Sequence, residues 1–379
     1  MRCSPSDNQT VSAVTWTLQS KDGEARTGWL DTPHGRISTP AFMPVGTRAA
    51  VKAVDSHDLS GVGAEIVLAN TYHLMLRPGS SRIAALGGIH QFMAWDGPIL
   101  TDSGGFQIFS LDPVIEESGA RFRSVYDGSS VVLTPEDAVR IQEELAPDIA
   151  MALDVCVGLP APADLVEAEL ERTLRWAERC LRAHTKADQA LFGIVQGGVD
   201  PDLRAKSAAQ TAALGFPGFG IGGLSVGEGR DERRLALEAS FAELPEGKPR
   251  YVMGLGDTDG LLEAIARGAD MFDCVLPTRL ARHGKVLTRA GDFSLRNAES
   301  ESDDRPIDEN CACHTCRTHS RGYLRHLVRV KELSAHRLLT IHNLRYTLDL
   351  VGAARQAIES GTFSDFVRGV AATRANGSP

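Results

Sequence analysis

The chain has 379 residues, 42% of them apolar and 23% charged, with a formal net charge of −9. These values exclude a disordered chain and a small disulfide-stapled module; they describe a globular protein large enough for one barrel with additions or for two or three domains. No apolar run approaches the ~20 residues of a membrane span, and the polar start MRCSPSDNQT lacks the apolar core of a signal peptide, so the expectation is a cytoplasmic protein with no membrane partner.

Eight short apolar segments recur along the chain, at residues 41–47, 64–71, 98–105, 149–156, 190–198, 219–225, 250–256 and 271–278. Continuous apolar runs of this length suit strands buried on both faces. Helical patterns lie between them. Thr134 and Pro135 open one and Asp200 with Pro201 another, each placing a capping oxygen just before a proline at the first helical position. Residues 164–183 carry a helical apolar stripe, and 257–268 start with acids and end at Gly268. Eight strand–helix units predict a (β/α)8 barrel of the α/β class, with a doubly wound open sheet as competitor.

The polar residues decide between the two. Asn70, Asp102, Asp154, Gln196, Gly223, Gly254 and Asp273 stand at the C-terminal sides of separate apolar segments. In a barrel those ends share one rim, where active sites form. No Walker loop occurs, and no G-x-G-x-x-G opens a helix after a first strand, which disfavours a nucleotide-binding open sheet. Any single aspartate here could be a helix cap. Three on one rim suggest chemistry: two carboxylates in different environments can divide attack at a glycosidic carbon from proton transfer. Asp154, Gln196 and the backbone at Gly222–Leu224 offer acceptors and donors for a flat heterocycle, and Gly104 and Gly105 let a ligand approach the main chain.

Seven cysteines in a chain this long do not make a disulfide framework. Cys3, Cys156, Cys180 and Cys274 are scattered; Cys311, Cys313 and Cys316 crowd into CACHTC, a metal spacing for which zinc is the usual ion. The fourth ligand is open among His319, His326, His336 and His342. Three thiolates and a histidine would make a closed, structural site. Basic residues gather at Arg279, Arg282, Lys285 and Arg289, and again at Arg317, Arg321, Arg325, Arg329 and Lys331, either as solvated helix faces or as contacts to a polyanion.

NTYHL (70–74), TDSGGFQIFS (101–110), IVQGG (194–198), GIGGLSVGE (220–228), MFDCVLPTR (271–279), CACHTC (311–316) and TIHNLRY (340–346) together resemble the tRNA-guanine transglycosylases of bacterial type. Each motif alone is weak; the ordered set is specific and spans residues 70–346. The resemblance implies a barrel over 1–295, a zinc-binding subdomain over 296–350 and a C-terminal helix, 351–379, that completes the barrel. It implies a homodimer that exchanges the wobble guanine of tRNAs with a G-U-N anticodon for 7-aminomethyl-7-deazaguanine, toward queuosine, without a nucleotide cofactor.

Carried over by position, the resemblance makes Asp273 the nucleophile at ribose C1′ and Asp102 the general acid and base. Ser103, Gly104, Gly105 and Phe106 would hold the base, with Asp154, Cys156, Gln196, Gly223, Leu224 and Met253 around it. Gly254, Leu255, Gly256, Asp257, Thr258, Asp259 and Gly260 match one RNA-contacting loop, and Thr278, Arg279, Leu280, Ala281 and Arg282 a second. Cys311, Cys313, Cys316 and His342 match the zinc ligands. Cys156 and Val226 match the bacterial form. Val155 follows Asp154 where the family commonly carries a second acid, so direct insertion of queuine stands as the alternative. A non-catalytic tRNA-binding partner subunit would lack one of the two carboxylates that this chain keeps. Exchange through an ester needs no ATP, because one N-glycoside replaces another, and the base must leave its stack to react.

Overall fold

The structure, a computed structural model, describes residues 13–224 and 227–377. Eight parallel strands close a barrel in chain order: Ala41–Gly46, Val67–Ala69, Ile99–Thr101, Ile149–Met151, Ala190–Val195, Phe219–Ile221, Arg250–Val252 and Met271–Cys274. The eighth pairs with the first, Met271 opposite Ala41 and Cys274 opposite Pro44, so the sheet has no edge. The open-sheet alternative is thereby excluded.

Successive side chains along a strand point to opposite faces. Ala41, Met43 and Val45 join Leu68, Met151, Phe192, Ile194 and Tyr251 in a cluster inside the barrel. Phe42, Val67, Ile99, Leu191, Phe219 and Phe272 fall in a second cluster, shared with the surrounding helices. Fully burying such a side chain contributes ~1.5–3 kcal/mol relative to exposure, which is why the eight apolar runs fold as strands covered on both faces.

The expected helix starts are present. Thr134 accepts from the Asp137 amide (3.1 Å) before the helix Pro135–Leu145. Asp200 accepts from Asp202 and Leu203 before Pro201–Ala213. The striped segment forms Ala163–Ala183, and Asp257 caps Thr258–Ile265.

The ladders are shorter than the apolar runs. The segment read as 64–71 pairs only over Val67–Ala69, because Asn70 turns to cap the helix Thr71–Leu76, accepting from the His73 amide at 3.0 Å. The segment 98–105 pairs over Ile99–Thr101, and the chain then turns at Gly104 (φ +83°) into Gly105–Phe109. Residues 276–278, read as strand, begin the helix Leu276–Arg282, with Pro277 in its first turn. In each case a local cap or turn outcompetes extension of the strand.

Three additions position the site. An antiparallel sheet, Thr15–Asp22, Ala25–Thr32 and Gly35–Thr39, precedes the barrel; its Trp16, Leu30 and Ile37 join the interior cluster and stopper the N-terminal end. A second antiparallel sheet, Val114–Glu116, Gly119–Arg123 and Ser130–Leu133, lies between the third barrel strand and its helix. After the eighth strand come a short ribbon, the helices His314–Thr318 and Arg321–Arg329, and the long helix Leu333–Glu359. This last helix packs on the first barrel strand, on the helix Leu276–Arg282 and on the N-terminal sheet. Residues 350 and 351, where the sequence reading places a division, lie inside it; the helix Phe363–Asn376 packs against it. Among the described residues, no helix is long and apolar enough to cross a membrane.

Candidate active site

The C-terminal ends of the barrel strands enclose a cavity of about 420 Å³. Asp102, Asp154 and Asp273 all line it, with Ser103, Gly104, Phe106, Cys156, Gln196, Gly223, Leu224 and Met253. Gly105 sits behind this wall, lining a small cleft with Val155.

Asp273 is the one aspartate of the three inside a strand ladder, opposite Met43. The Tyr251 hydroxyl donates to its Oδ1 at 2.5 Å and the Gly254 amide at 2.8 Å. Both bonds converge on one oxygen, and Oδ2 accepts none among the described residues. Burial pushes the carboxyl above its usual range, against the pull of these two donors. Its neighbour Cys274 stays a thiol, pushed up to about 11 by burial and by the Asp273 charge.

Asp102 accepts from Asn70 Nδ2 at 2.5 Å and from the Thr71 amide at 2.9 Å, while the Thr71 hydroxyl donates to its carbonyl. Burial lifts the carboxyl from an ordinary 3.8 to about 7. The Thr71 and Gly104 amides oppose that rise; the charges of Asp273 and Asp154 add to it. A carboxyl at about 7 exchanges protons near neutral pH, as a general acid and base requires.

Asp154 forms the opposite wall. Ser103 Oγ donates to its Oδ1 at 2.9 Å and Gln196 Nε2 to its Oδ2 at 2.6 Å. Burial raises its pKa against both donors. Glycines make the fit possible. A Cβ on Gly105 would stand 2.8 Å from Asp154 Oδ1, and one on Gly223 (φ +67°) 2.3 Å from Gln196 Oε1. Beneath them Arg204, fully buried, donates to Gly198 O at 2.7 Å and Val195 O at 3.1 Å, fixing the turn that aims Gln196. Further down, Gln142 bonds Thr101 and Met151, tying together the two strands that lead to Asp102 and Asp154. Cys156 is a buried thiol, pushed up to about 12 by burial. Phe106 stands exposed at the mouth.

The two loops matched to RNA contact divide. Gly254 and Arg279 line the cavity, and Asp257 and Asp259 are exposed. Leu255, Gly256, Thr258, Gly260, Thr278 and Ala281 are buried, and Leu280 and Arg282 half-buried. Thr258 bonds the Tyr346 hydroxyl, and Arg282 the Thr278 carbonyl, so these residues shape the loops from within. In the second basic cluster Arg321 is buried against the carbonyls of Pro306 and Ile307, and Arg325 bonds Asn297 O. Val226 lies outside the described residues.

Sequence reading missed Tyr251, His73 and Gln107, which also line the cavity. Strand parity carried a signal for Tyr251: it alternates with Val252, which belongs to the outer cluster, and therefore points inward.

Away from the rim, Cys311, Cys313, Cys316 and His342 bring four ligand atoms within 4.8 Å of one another, a cluster that can hold a metal ion. His342 Nε2 lies 2.8 Å from Leu287 O. That bond requires the proton on Nε2 and leaves Nδ1, 3.2 Å from Cys316 Sγ, with a free lone pair for a metal. The donor set and the orientation of the ring therefore fit a tetrahedral ion. A second cavity of about 400 Å³, largely apolar, lies beside Cys311 and His342.

The family profile described as queuine tRNA-ribosyltransferase matches residues 21–376. The queuine tRNA-ribosyltransferase of Moorella thermoacetica is 53% identical over 359 residues, covering 94% of this chain and 96% of its own. That of Herpetosiphon aurantiacus is 52% identical, covering 94% and 92%, and one from Thermus thermophilus is 50% identical, covering 94% and 93%. The chain belongs to the queuine tRNA-ribosyltransferase family.

Proposed function

We propose that the protein is a tRNA-guanine transglycosylase, a pentosyltransferase that exchanges the wobble guanine of G-U-N anticodon tRNAs for 7-aminomethyl-7-deazaguanine in queuosine biosynthesis. The observation that carries this reading is the pairing of Asp273 with Asp102 in one cavity: one half-buried carboxylate bonded on a single oxygen, the other, buried, held at about 7. In the first step Asp273 attacks C1′ of the flipped-out nucleotide. The C1′–N9 electron pair leaves with guanine, which takes a proton from Asp102. The incoming base returns a proton to Asp102 as its nitrogen attacks C1′, and the ester to Asp273 breaks. Two displacements retain configuration. Ser103, Asp154, Gln196 and the Gly223–Leu224 backbone read the edges of the base, while Phe106 stacks on its face.

We read the cysteine–histidine cluster as a structural zinc site, one ion per subunit, because four protein ligands leave no position for water. Metal analysis should find one equivalent per chain, lost in Cys316→Ser. We read the enzyme as a cytoplasmic homodimer; the exposed Tyr323, Val330 and Leu333, between the cysteines and His342 in sequence, are apolar surface for such contact. The barrel, residues 1–295, would be the catalytic unit, with the zinc subdomain beginning at 296 and running through the continuous helix Leu333–Glu359 into the C-terminal closure.

The decisive experiment is base exchange on a G-U-N anticodon stem-loop, offering labelled guanine, 7-aminomethyl-7-deazaguanine and queuine in turn. Incorporation of guanine and of the aminomethyl base is expected. Absence of guanine exchange overturns the function. Preferential uptake of queuine transfers the assignment to direct salvage, a reading prompted by Val155; that side chain faces the cleft behind the cavity.

A further inference from the structure

We propose that Tyr126, held between Arg48 and Arg77 beside the cavity mouth, is a contact platform for single-stranded RNA next to the exchanged nucleotide. The inference rests on the transglycosylase reading.

Tyr126 lies at the tip of the hairpin between Gly119–Arg123 and Ser130–Leu133. The tip is fixed by Ser124 N to Ser129 O (2.9 Å), Gly128 N to Ser124 O (2.9 Å) and Tyr126 N to Ser124 Oγ (3.2 Å). The Arg77 guanidinium carbon is 4.3 Å from the centre of the Tyr126 ring, and that of Arg48 is 5.5 Å away. The Tyr126 hydroxyl meets His73 Nδ1 at 3.3 Å, and His73 lines the cavity. The platform therefore begins where the cavity ends.

Its cations are uncompensated. Among the described residues, no carboxylate lies within ion-pair distance of Arg48 or Arg77, although most arginines of the chain are paired. The neighbouring acid, Asp127, turns onto Ser129 instead. Burial and the charges of Arg48 and Lys52 hold His73 below the usual histidine range, which is the local mark of a positive field. In a chain of net charge −9, such a field needs a reason.

Topology supplies one. Arg279 follows the eighth barrel strand, Arg48 the first and Arg77 the second, and these three strands are neighbours in the ring. The cations thus form an arc on one side of the rim. Asp154, Gln196 and Gly223 follow the fourth, fifth and sixth strands on the other side. A nucleotide whose base enters the cavity toward Asp154 has its backbone directed along the arc. An aromatic ring with flanking guanidinium groups suits unstacked bases and phosphates of a single-stranded loop.

The test measures binding of the G-U-N stem-loop across a salt series, at a temperature where every variant is folded. Arg77→Gln and Arg48→Gln are each expected to weaken binding about tenfold at low salt and to flatten the salt slope by about 0.7. Tyr126→Leu is expected to weaken binding about tenfold with the slope unchanged. In turnover, the KM for RNA should rise more than kcat falls. Affinities within twofold of the unsubstituted protein, with the slope intact, overturn the proposal, and a lowered melting temperature alone marks the cluster as a tether for the hairpin. If the unsubstituted protein exchanges no guanine yet the variants lose RNA, the catalytic reading falls and the platform stands.

Discussion

At the closed end of the barrel Asp148 and Asp270 are buried, and each is met by cations or imidazoles; at the open end Asp102, Asp154 and Asp273 are met only by amides, hydroxyls and backbone N–H groups. Asp270 takes a two-pronged bond from buried Arg26, at 3.0 and 2.5 Å. Burial alone would raise Asp148, but His90, the Ile99 amide and His34 together hold it at about 2. The rim aspartates lack such partners, and all three are shifted upward; burial raises Asp270 as well, but there the Arg26 charge pulls against it. One fold therefore uses the same side chain in two ways. Where charge is matched the acid fastens the plug, and where it is left unmatched the acid is available for the proposed chemistry.

The sharpest break of this comparison is Asp273→Asn. Exchange should fall by more than about 10³-fold, while stem-loop binding persists, because the amide cannot form the ester. A variant that still exchanges guanine would remove the distinction between the two ends. Next is Asp270→Asn, which leaves Arg26 buried without its counter-charge. Unfolding free energy should drop by about 3–5 kcal/mol in denaturant titration, with little change in kcat for the folded fraction. Wild-type stability would show that the closed end is not held by this pair.

A smaller effect separates the ends by pH. The folded state binds the Asp102 proton more tightly than an ordinary carboxylate does, so its contribution to stability is complete below about pH 4 and lost as pH rises to about 7. Asp148 runs the other way, contributing above about pH 4 and losing that contribution as pH falls through about 2. Between about pH 4.5 and 8, Asp102→Asn should lose less stability than the unsubstituted protein, by about 1–3 kcal/mol. Parallel curves would contradict the assignment. The smallest effect belongs to Tyr251→Phe. Removing one of two donors from Asp273 should slow exchange about tenfold and move the acidic limb of the rate profile upward in pH, with RNA affinity retained. A slower variant whose pH profile is unmoved would mean that Tyr251 acts by packing alone.

Much of this could be read in the chain. Eight apolar runs call for a sheet covered on both faces, and the polar residues at their C-terminal sides point to the shared rim of a barrel. The caps at Thr134, Asp200 and Asp257 act locally, and local signals survive in sequence. Strand lengths do not, because Asn70 and Gly104 carry signals for turning that compete with the apolar run beside them. The stopper sheet was missed because its first strand is mostly exposed and shows no buried run. Spacing could not choose among four histidines; His342 comes from a helix distant in sequence. Arg321 and Arg325 stood open between a solvated helix face and contact with a polyanion, and the structure has them hold carbonyls of their own subdomain. Tyr251 carried no motif, and its importance lies in a bond to a residue 22 positions away.

The stopper has a kinetic consequence. Among the described residues, a barrel closed below by Trp16, Leu30 and Ile37 opens at the rim, so in the proposed exchange the departing guanine would leave by the way its replacement enters. With Asp273 as the proposed nucleophile, the RNA would wait at the threshold meanwhile. On the proposed double displacement turnover would be ping-pong, and free guanine would compete with the base that succeeds it.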